Sequence, residues 1–185
     1  MIQRSYEKRK GESGVEFNLL HTPFQAFESR INGNDYEVLV AFVRDQLLGT
    51  RTLRIHESRG EKYAEGMWLA VAPEAQGMGV GSKLMEYGSE WARDNGCSYI
   101  WEDTAVAATS SVKMHEKNGY YIFGLDSYPS TDYYSYVFRK QLYPSLWRHK
   151  TACHIRFCFS FVIIHVTKKR SGELTALGRL IKRII

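Results

Sequence analysis

GMWLAVAPEAQGMGVGSK, residues 66–83, is the stretch on which the fold turns. Through Val71 it is apolar and rich in strand formers, and Pro73, which has no N–H to give to a ladder, ends the run. From Gly79 to Asn95 the period changes: Val80, Leu84, Gly88 and Trp91 share one helical stripe, closed by Asn95-Gly96. The order is strand, glycine turn, helix. Glycines let a backbone approach a ligand closely, and the unpaired N–H groups and dipole of a helix start attract an anion such as a pyrophosphate. Gln76-Gly77-Met78-Gly79-Val80-Gly81-Ser82-Lys83 therefore reads as a phosphate-type anion site. Its spacing matches neither the full dinucleotide fingerprint nor the phosphate loop G-x-x-x-x-G-K-[ST].

Upstream, YEVLVAFVR and LLGTRTLRIHE are rich in apolar and β-branched residues and flank Asp45-Gln46, which predicts an antiparallel hairpin from Tyr36 onward. AEGMWLAV is the third strand. Downstream, CSYIWED reads as a strand, Ser110 to Lys117 as a short helix, and Asn118-Gly119 as its left-handed stop. YYIFGLDSY and YYSYVFRKQL follow as two strands around PSTD. A short helix is expected within FNLLHTPFQAFESRI, where Phe24, Phe27 and Ile31 follow Pro23 at helical spacing. The first 15 residues are polar and read as a frayed end. The layout is α/β in the mixed, α+β sense, with helices packed on a largely antiparallel sheet.

At 185 residues, with 44% apolar, 24% charged and 14% aromatic residues, the composition is that of one folded domain and excludes disordered and collagen-like chains. The net charge of +5 is unevenly placed. Residues 1–142 hold 16 Lys and Arg against 19 Asp and Glu, and residues 143–185 hold 9 against 1. The main body is thus acidic, so no nucleic-acid partner is expected of it. Cys97, Cys153 and Cys158 form no C-x-x-C pair, which suggests neither a disulfide framework nor a zinc site and fits a reducing compartment. The charged start MIQRSYEKRKGESG lacks the apolar core of a secretory signal, and a cytoplasmic protein is expected.

Two ordered motifs carry a resemblance to a known family. WLAVAPEAQGMGVGSKLMEYGSEWARDNG resembles the core of the GNAT superfamily of acyl-CoA N-acyltransferases, with the signature Q/R-x-x-G-x-G/A at Gln76 to Gly81. SSVKMHEKNGYYIFG is similar to that family's second motif, A-x-x-[L/F]-[Y/H]-E-K-x-G-[F/Y]. The likeness covers residues 36–142, leaving 1–35 as a short N-terminal segment and 143–185 as a basic extension. It implies a central, mostly antiparallel twisted sheet with flanking helices, and an N-acetyltransferase that brings acetyl-CoA and a primary amine together without a metal. It also implies that Gln76, Gly77, Met78, Gly79, Val80, Gly81, Ser82 and Lys83 hold the pyrophosphate, while backbone groups of Leu69 and Val71 pair with the pantetheine arm as an added strand would. Ala108 stands where the family often has a cofactor-contacting asparagine, and Ser110 or Ser111 is the substitute.

The resemblance puts His115 where many members carry the tyrosine that protonates the departing thiolate, and imidazole suits proton donation near neutral pH. The opposed reading is a helix histidine that packs against the cofactor. The attacking amine must lose a proton; of the candidate bases Glu65, Glu102, Asp103 and His56, the strand-end residues Glu65 and Glu102 rank first. The acceptor is a small molecule or a protein amine. The alternative reading is a non-catalytic acyl-CoA-binding or regulatory module. In the extension, Ile155, Phe157, Phe159, Phe161 and Ile163 alternate as in a strand, while Leu146, Cys153, Phe157, Phe161 and Ile164 share a helical face. LTALGRLIKRII reads as a basic amphipathic helix that docks on the domain or joins two copies into a homodimer, in preference to an anionic membrane or nucleic acid. The apolar run in HIRFCFSFVII is shorter than the ~20 residues of a transmembrane segment, so none is expected.

Overall fold

The computed structural model describes residues 1–129 and 131–143. Its strands are β1 (Tyr36–Val43), β2 (Gln46–Ser58), β3 (Glu61–Val71), β4 (Tyr99–Ala105), β5 (Tyr121–Asp126) and β6 (Ser135–Gln141). They form one sheet in the order β1-β2-β3-β4-β6-β5. The helices are α1 (Ile2–Ser13), α2 (Phe24–Asn32), α3 (Val80–Asp94) and α4 (Thr109–Lys117). All neighbouring strands are antiparallel except β3 and β4, whose connection through α3 is a crossover and permits a parallel pair. Those two pair through Ala64 with Ile100 and Glu65 with Trp101, then part. The mixed α/β sheet expected from the sequence is the sheet observed.

Local chemistry accounts for the boundaries. Arg59 and Gly60 both take positive φ and close β2 and β3 into a hairpin, so β3 starts at Glu61, three residues before the expected start. The β1–β2 turn uses Arg44, at φ 51°, and β2 begins at Gln46. Pro23 caps α2, and Asn18–His21 form a separate 3-10 turn before it. Leu84, Met85 and Ala92 of α3 pack with Ala64, Ile100, Tyr120 and Phe138 in the main core. Each of Leu84, Met85, Ile100 and Phe138 contributes on the order of 1.5–3 kcal/mol when fully buried.

The N-terminus corrects the expectation of a frayed end. Residues 2–13 are helical, Gly14 closes the helix in the left-handed region (φ 70°), and its N–H donates to the Lys10 carbonyl at 2.8 Å. The helix is held by tertiary contact more than by amphipathicity: Ser5 and Tyr6 are buried. Tyr6 joins Val15, Phe17, Ala70, Ala105 and Ala108 in a second cluster at the parting of β3 and β4. Among the described residues no strand precedes β1; α1 against β3 and α2 against β1 take up the N-terminal segment. Among these residues no helix is long and apolar enough to cross a membrane. The expected strand or helix around Ile155, the amphipathic end and the homodimer contact lie outside the described residues.

Candidate functional site

Beyond Ala75 the chain turns through Gly77 (φ 80°) and Gly79 (φ 86°) into α3, conformations that cost L side chains strain. A Cβ at either glycine would meet nothing within 4 Å, so the turn faces open space. Lys83 N–H already bonds the Gly79 carbonyl at 3.0 Å, which leaves the earlier amides of the first turn as the end of the helix that lacks intrahelical partners. They border a cleft of about 340 Å³. Gln76, Gly77, Gly79, Val80, Gly81 and Ser82 form one wall, Leu69 and Val71 of β3 another. Ser110, Ser111, Lys113, Met114 and Lys117 of α4 stand opposite, and Ser5, Arg9 and Glu12 of α1 close the remaining side.

Not every residue expected to hold an anion has its side chain in the cleft. Gln76 Nε2 donates to the Val71 carbonyl at 3.2 Å and braces the turn, Lys83 pairs with Glu86 at 2.6 Å, and Met78 is exposed. Ser110 Oγ donates to Glu12 at 3.4 Å. Asn118 Nδ2 donates to Ser82 Oγ at 3.2 Å and ties the end of α4 to the start of α3. The backbone groups expected to receive an extended arm are occupied from α1. Val71 N–H donates to Ser5 Oγ at 3.3 Å, and the Leu69 carbonyl accepts from Tyr6 OH at 3.4 Å and Arg9 Nη2 at 3.5 Å.

His115 and Glu102 meet behind the cleft, inside the protein. Arg51, fully buried, donates to Glu102, to Tyr120 OH at 2.8 Å and to the α3 carbonyls of Leu84 and Met85 at 3.2 and 3.1 Å. The other oxygen of Glu102 lies 3.2 Å from His115 Nε2, and His115 Nδ1 lies 2.8 Å from the Ser111 carbonyl. Both ring nitrogens thus have partners inside the protein. The ring stacks on Phe138 with centroids 4.6 Å apart. Burial alone would raise the Glu102 pKa, but the Arg51 charge and the His115 and Tyr120 hydrogen bonds win and hold it at about 2. Glu102 is therefore a fixed anion with both oxygens engaged. His115, 3% exposed, reaches the cleft only through its neighbours.

The sequence reading missed Arg51, although its position carried a signal. It alternates with Leu53 and Ile55, whose parity faces the core, so a charge there needs a buried partner. Room for the pair comes from two glycines: a Cβ at Gly66 would sit 2.6 Å from the Glu102 carboxyl, and one at Gly88 would fall on Arg51 Nη1.

The opposite face of the sheet holds the remaining candidates. Glu65 lies 2.8 Å from His56 Nε2. His56 stacks on Tyr63 (5.3 Å) and Tyr63 on Tyr99 (5.1 Å), and the Arg139 guanidinium lies 3.5 Å above Tyr99. Asp103 follows the Glu65–Trp101 pair on β4; desolvation and the Glu102 and Glu65 charges push its pKa up. In β3, Met67 pairs with Thr52 and Ala70 with Thr50, so Trp68 and Leu69 form a bulge opposite Arg51. Trp68 takes φ 53° there, held by the Phe27 ring (4.6 Å) and the Arg30 guanidinium (3.7 Å) of α2.

Comparison with known proteins bears on the family and the fold. A family model described as acetyltransferase (GNAT) family matches residues 4–120. Streptothricin acetyltransferase of Streptomyces lavendulae is 29% identical over 59 residues, 32% of this chain and 31% of that protein, so the chain matches about a third of the length of this relative. Two solved structures share the fold. Nourseothricin acetyltransferase superposes with a TM-score of 0.53 at 24% identity, over 60% of this chain and 67% of the other. A Bacillus anthracis acetyltransferase of the streptothricin type, in complex with acetyl coenzyme A, gives 0.54 at 21%, over 62% and 67%.

Proposed function

The chain belongs to the GNAT acetyltransferase family, and from that premise we propose that it transfers an acetyl group from acetyl-CoA to an amine in a ternary complex. The observation that carries this reading is the positive-φ turn Gly77–Gly79 opening the first turn of α3 onto the cleft beside the parting of β3 and β4. Free amides and the helix dipole suit a pyrophosphate there. Lys113 and Lys117, one helical turn apart on the facing wall, add positive charge for the remaining phosphate.

In the reaction the neutral amine attacks the thioester carbonyl, a backbone N–H of the Trp68–Leu69 bulge stabilises the oxyanion, and collapse of the tetrahedral adduct breaks the C–S bond and releases coenzyme A as a thiolate that takes up the proton the amine gives up. Asp103 and the Glu65–His56 pair, on the face away from α3, are the groups suited to take the amine proton. Glu102 and His115 serve as positioning residues: through Arg51 they fix α3 and α4, the two walls of the cleft. Streptothricin heads the panel of acceptors, because the named relative acetylates it and the carboxylates of Glu65 and Asp103 suit a cationic amine. The work is assigned to the cytoplasm on the sparse cysteines of the sequence.

The test is CoA-thiol release from acetyl-CoA over streptothricin, aminoglycosides, polyamines and peptide N-termini. Amine-dependent release that Gly79→Glu abolishes is the expected result. Cofactor binding with no release on any amine would favour the non-catalytic module.

A further inference from the structure

We propose that α1 is a built-in competitor of acyl-CoA: its side chains occupy the edge of β3 that the cofactor's extended arm needs, so α1 must leave that edge for the cofactor to seat fully. The inference rests on the acyl-CoA reading of the cleft. Past Glu65, among the described residues, β3 has no strand beside it on the β4 side, and a bare strand edge is a row of unpaired donors and acceptors that an extended chain with amides is fitted to take. α1 answers those groups with side chains. The Val71 N–H, a single donor, is spent on Ser5 Oγ at 3.3 Å. The Leu69 carbonyl has two lone pairs, and Tyr6 OH at 3.4 Å and Arg9 Nη2 at 3.5 Å use both. The one donor at Val71 and the one acceptor at Leu69 are thus both taken when an extended arm arrives.

Space gives the same answer. Tyr6 is 7% and Ser5 2% exposed. The Tyr6 ring packs with Ala70 from one lip of the gap and Ala105 and Ala108 from the other, and meets Phe17 edge-on at 5.5 Å. The phosphate end of the cleft stays open while the end where the thioester must lie is filled. The seat is also releasable. Its hydrogen bonds to the β3 edge are at the long end of the hydrogen-bond range, the short Arg4–Glu74 ion pair (2.7 Å) is solvent-exposed, and Gly14, in the left-handed region, separates α1 from the Val15–Phe17 segment that anchors it.

Two measurements on the full chain decide the matter, with coenzyme A as the probe. In the first, calorimetry compares the native chain with Ser5→Ala and Tyr6→Ala; if α1 is seated in nine molecules of ten, unseating it tightens apparent binding by about tenfold. In the second, amide hydrogen exchange of the native chain is followed with and without saturating coenzyme A, which needs no variant to fold. Faster exchange in residues 2–13 on binding, with tighter binding to the variants, is the expected result. Slower exchange in α1 on binding, or weaker binding to folded Tyr6→Ala, makes α1 a wall of the site and overturns the proposal. If coenzyme A at millimolar concentration binds neither native chain nor variants, the acyl-CoA reading itself falls, and this inference with it.

Discussion

Arg51 has no solvent to retreat to, so the cost of a change near it depends on what happens to its charge. Glu102→Gln leaves the guanidinium buried and unpaired, and a loss of about 3–5 kcal/mol in denaturant unfolding at pH 7 is expected. A loss below about 1 kcal/mol would mean that the pair contributes little. Acid reports on the same residue. Glu102 titrates at about 2 in the folded chain and at the ordinary 4.5 when unfolded, so its stabilisation is complete above pH 4.5 and disappears as pH falls from 4.5 towards 2. That share is of order 3 kcal/mol at 1.36 kcal/mol per unit, and Glu102→Gln should flatten the acid limb of the stability curve over that window. Gly88→Ala tests the space around the pair from the other side. The new methyl would fall on Arg51 Nη1 and stand 3.2 Å from Leu53 Cδ1, for an expected loss of about 1–3 kcal/mol by thermal unfolding.

At the scale of elements, α3 and α4 face each other across the cleft and divide the work. α3 contributes backbone, so its sensitive positions are glycines: Gly79→Glu forces a side chain into φ 86° and into the space before the first-turn amides, and should abolish coenzyme A binding in calorimetry while the far-UV spectrum is kept. α4 contributes charge. Lys113→Ala and Lys117→Ala should each weaken coenzyme A by about fivefold, roughly 1 kcal/mol, and lower the salt dependence of binding. Equal affinities at low and high salt would remove both lysines from the site. These elements were legible in the sequence because their signals are local: the stripe Val80–Trp91, the stop at Asn118-Gly119, the break at Pro73. α1 was not legible. IQRSYEKRKGES has little apolar surface, and what keeps it helical is a gap between two strands that exists only once the sheet has formed. His115 and Glu102 were found by motif and strand-end position, but neither signal reveals depth; that follows from Arg51, far away in the sequence, and from Gly66 and Gly88, whose missing side chains make the room.

For the molecule as a whole, residues 1–143 contain the cleft, the buried charge cluster and both core clusters, so a form ending at Tyr143 should bind coenzyme A with the affinity of the full chain. A large loss of affinity would implicate residues beyond 143. The sheet is also two three-stranded plates, β1-β2-β3 and β4-β6-β5, whose backbones are riveted through Ala64–Ile100 and Glu65–Trp101 and bridged by α3. Under tension applied across the plates, that seam is the mechanical weak line, since the load falls on the rivets one after another while the antiparallel ladders on either side stay intact. A cofactor arm laid between the plates would act as a splint. In an optical trap the rupture force along this axis should then rise with coenzyme A concentration, making the width of one gap in a sheet a quantity that can be pulled on and read.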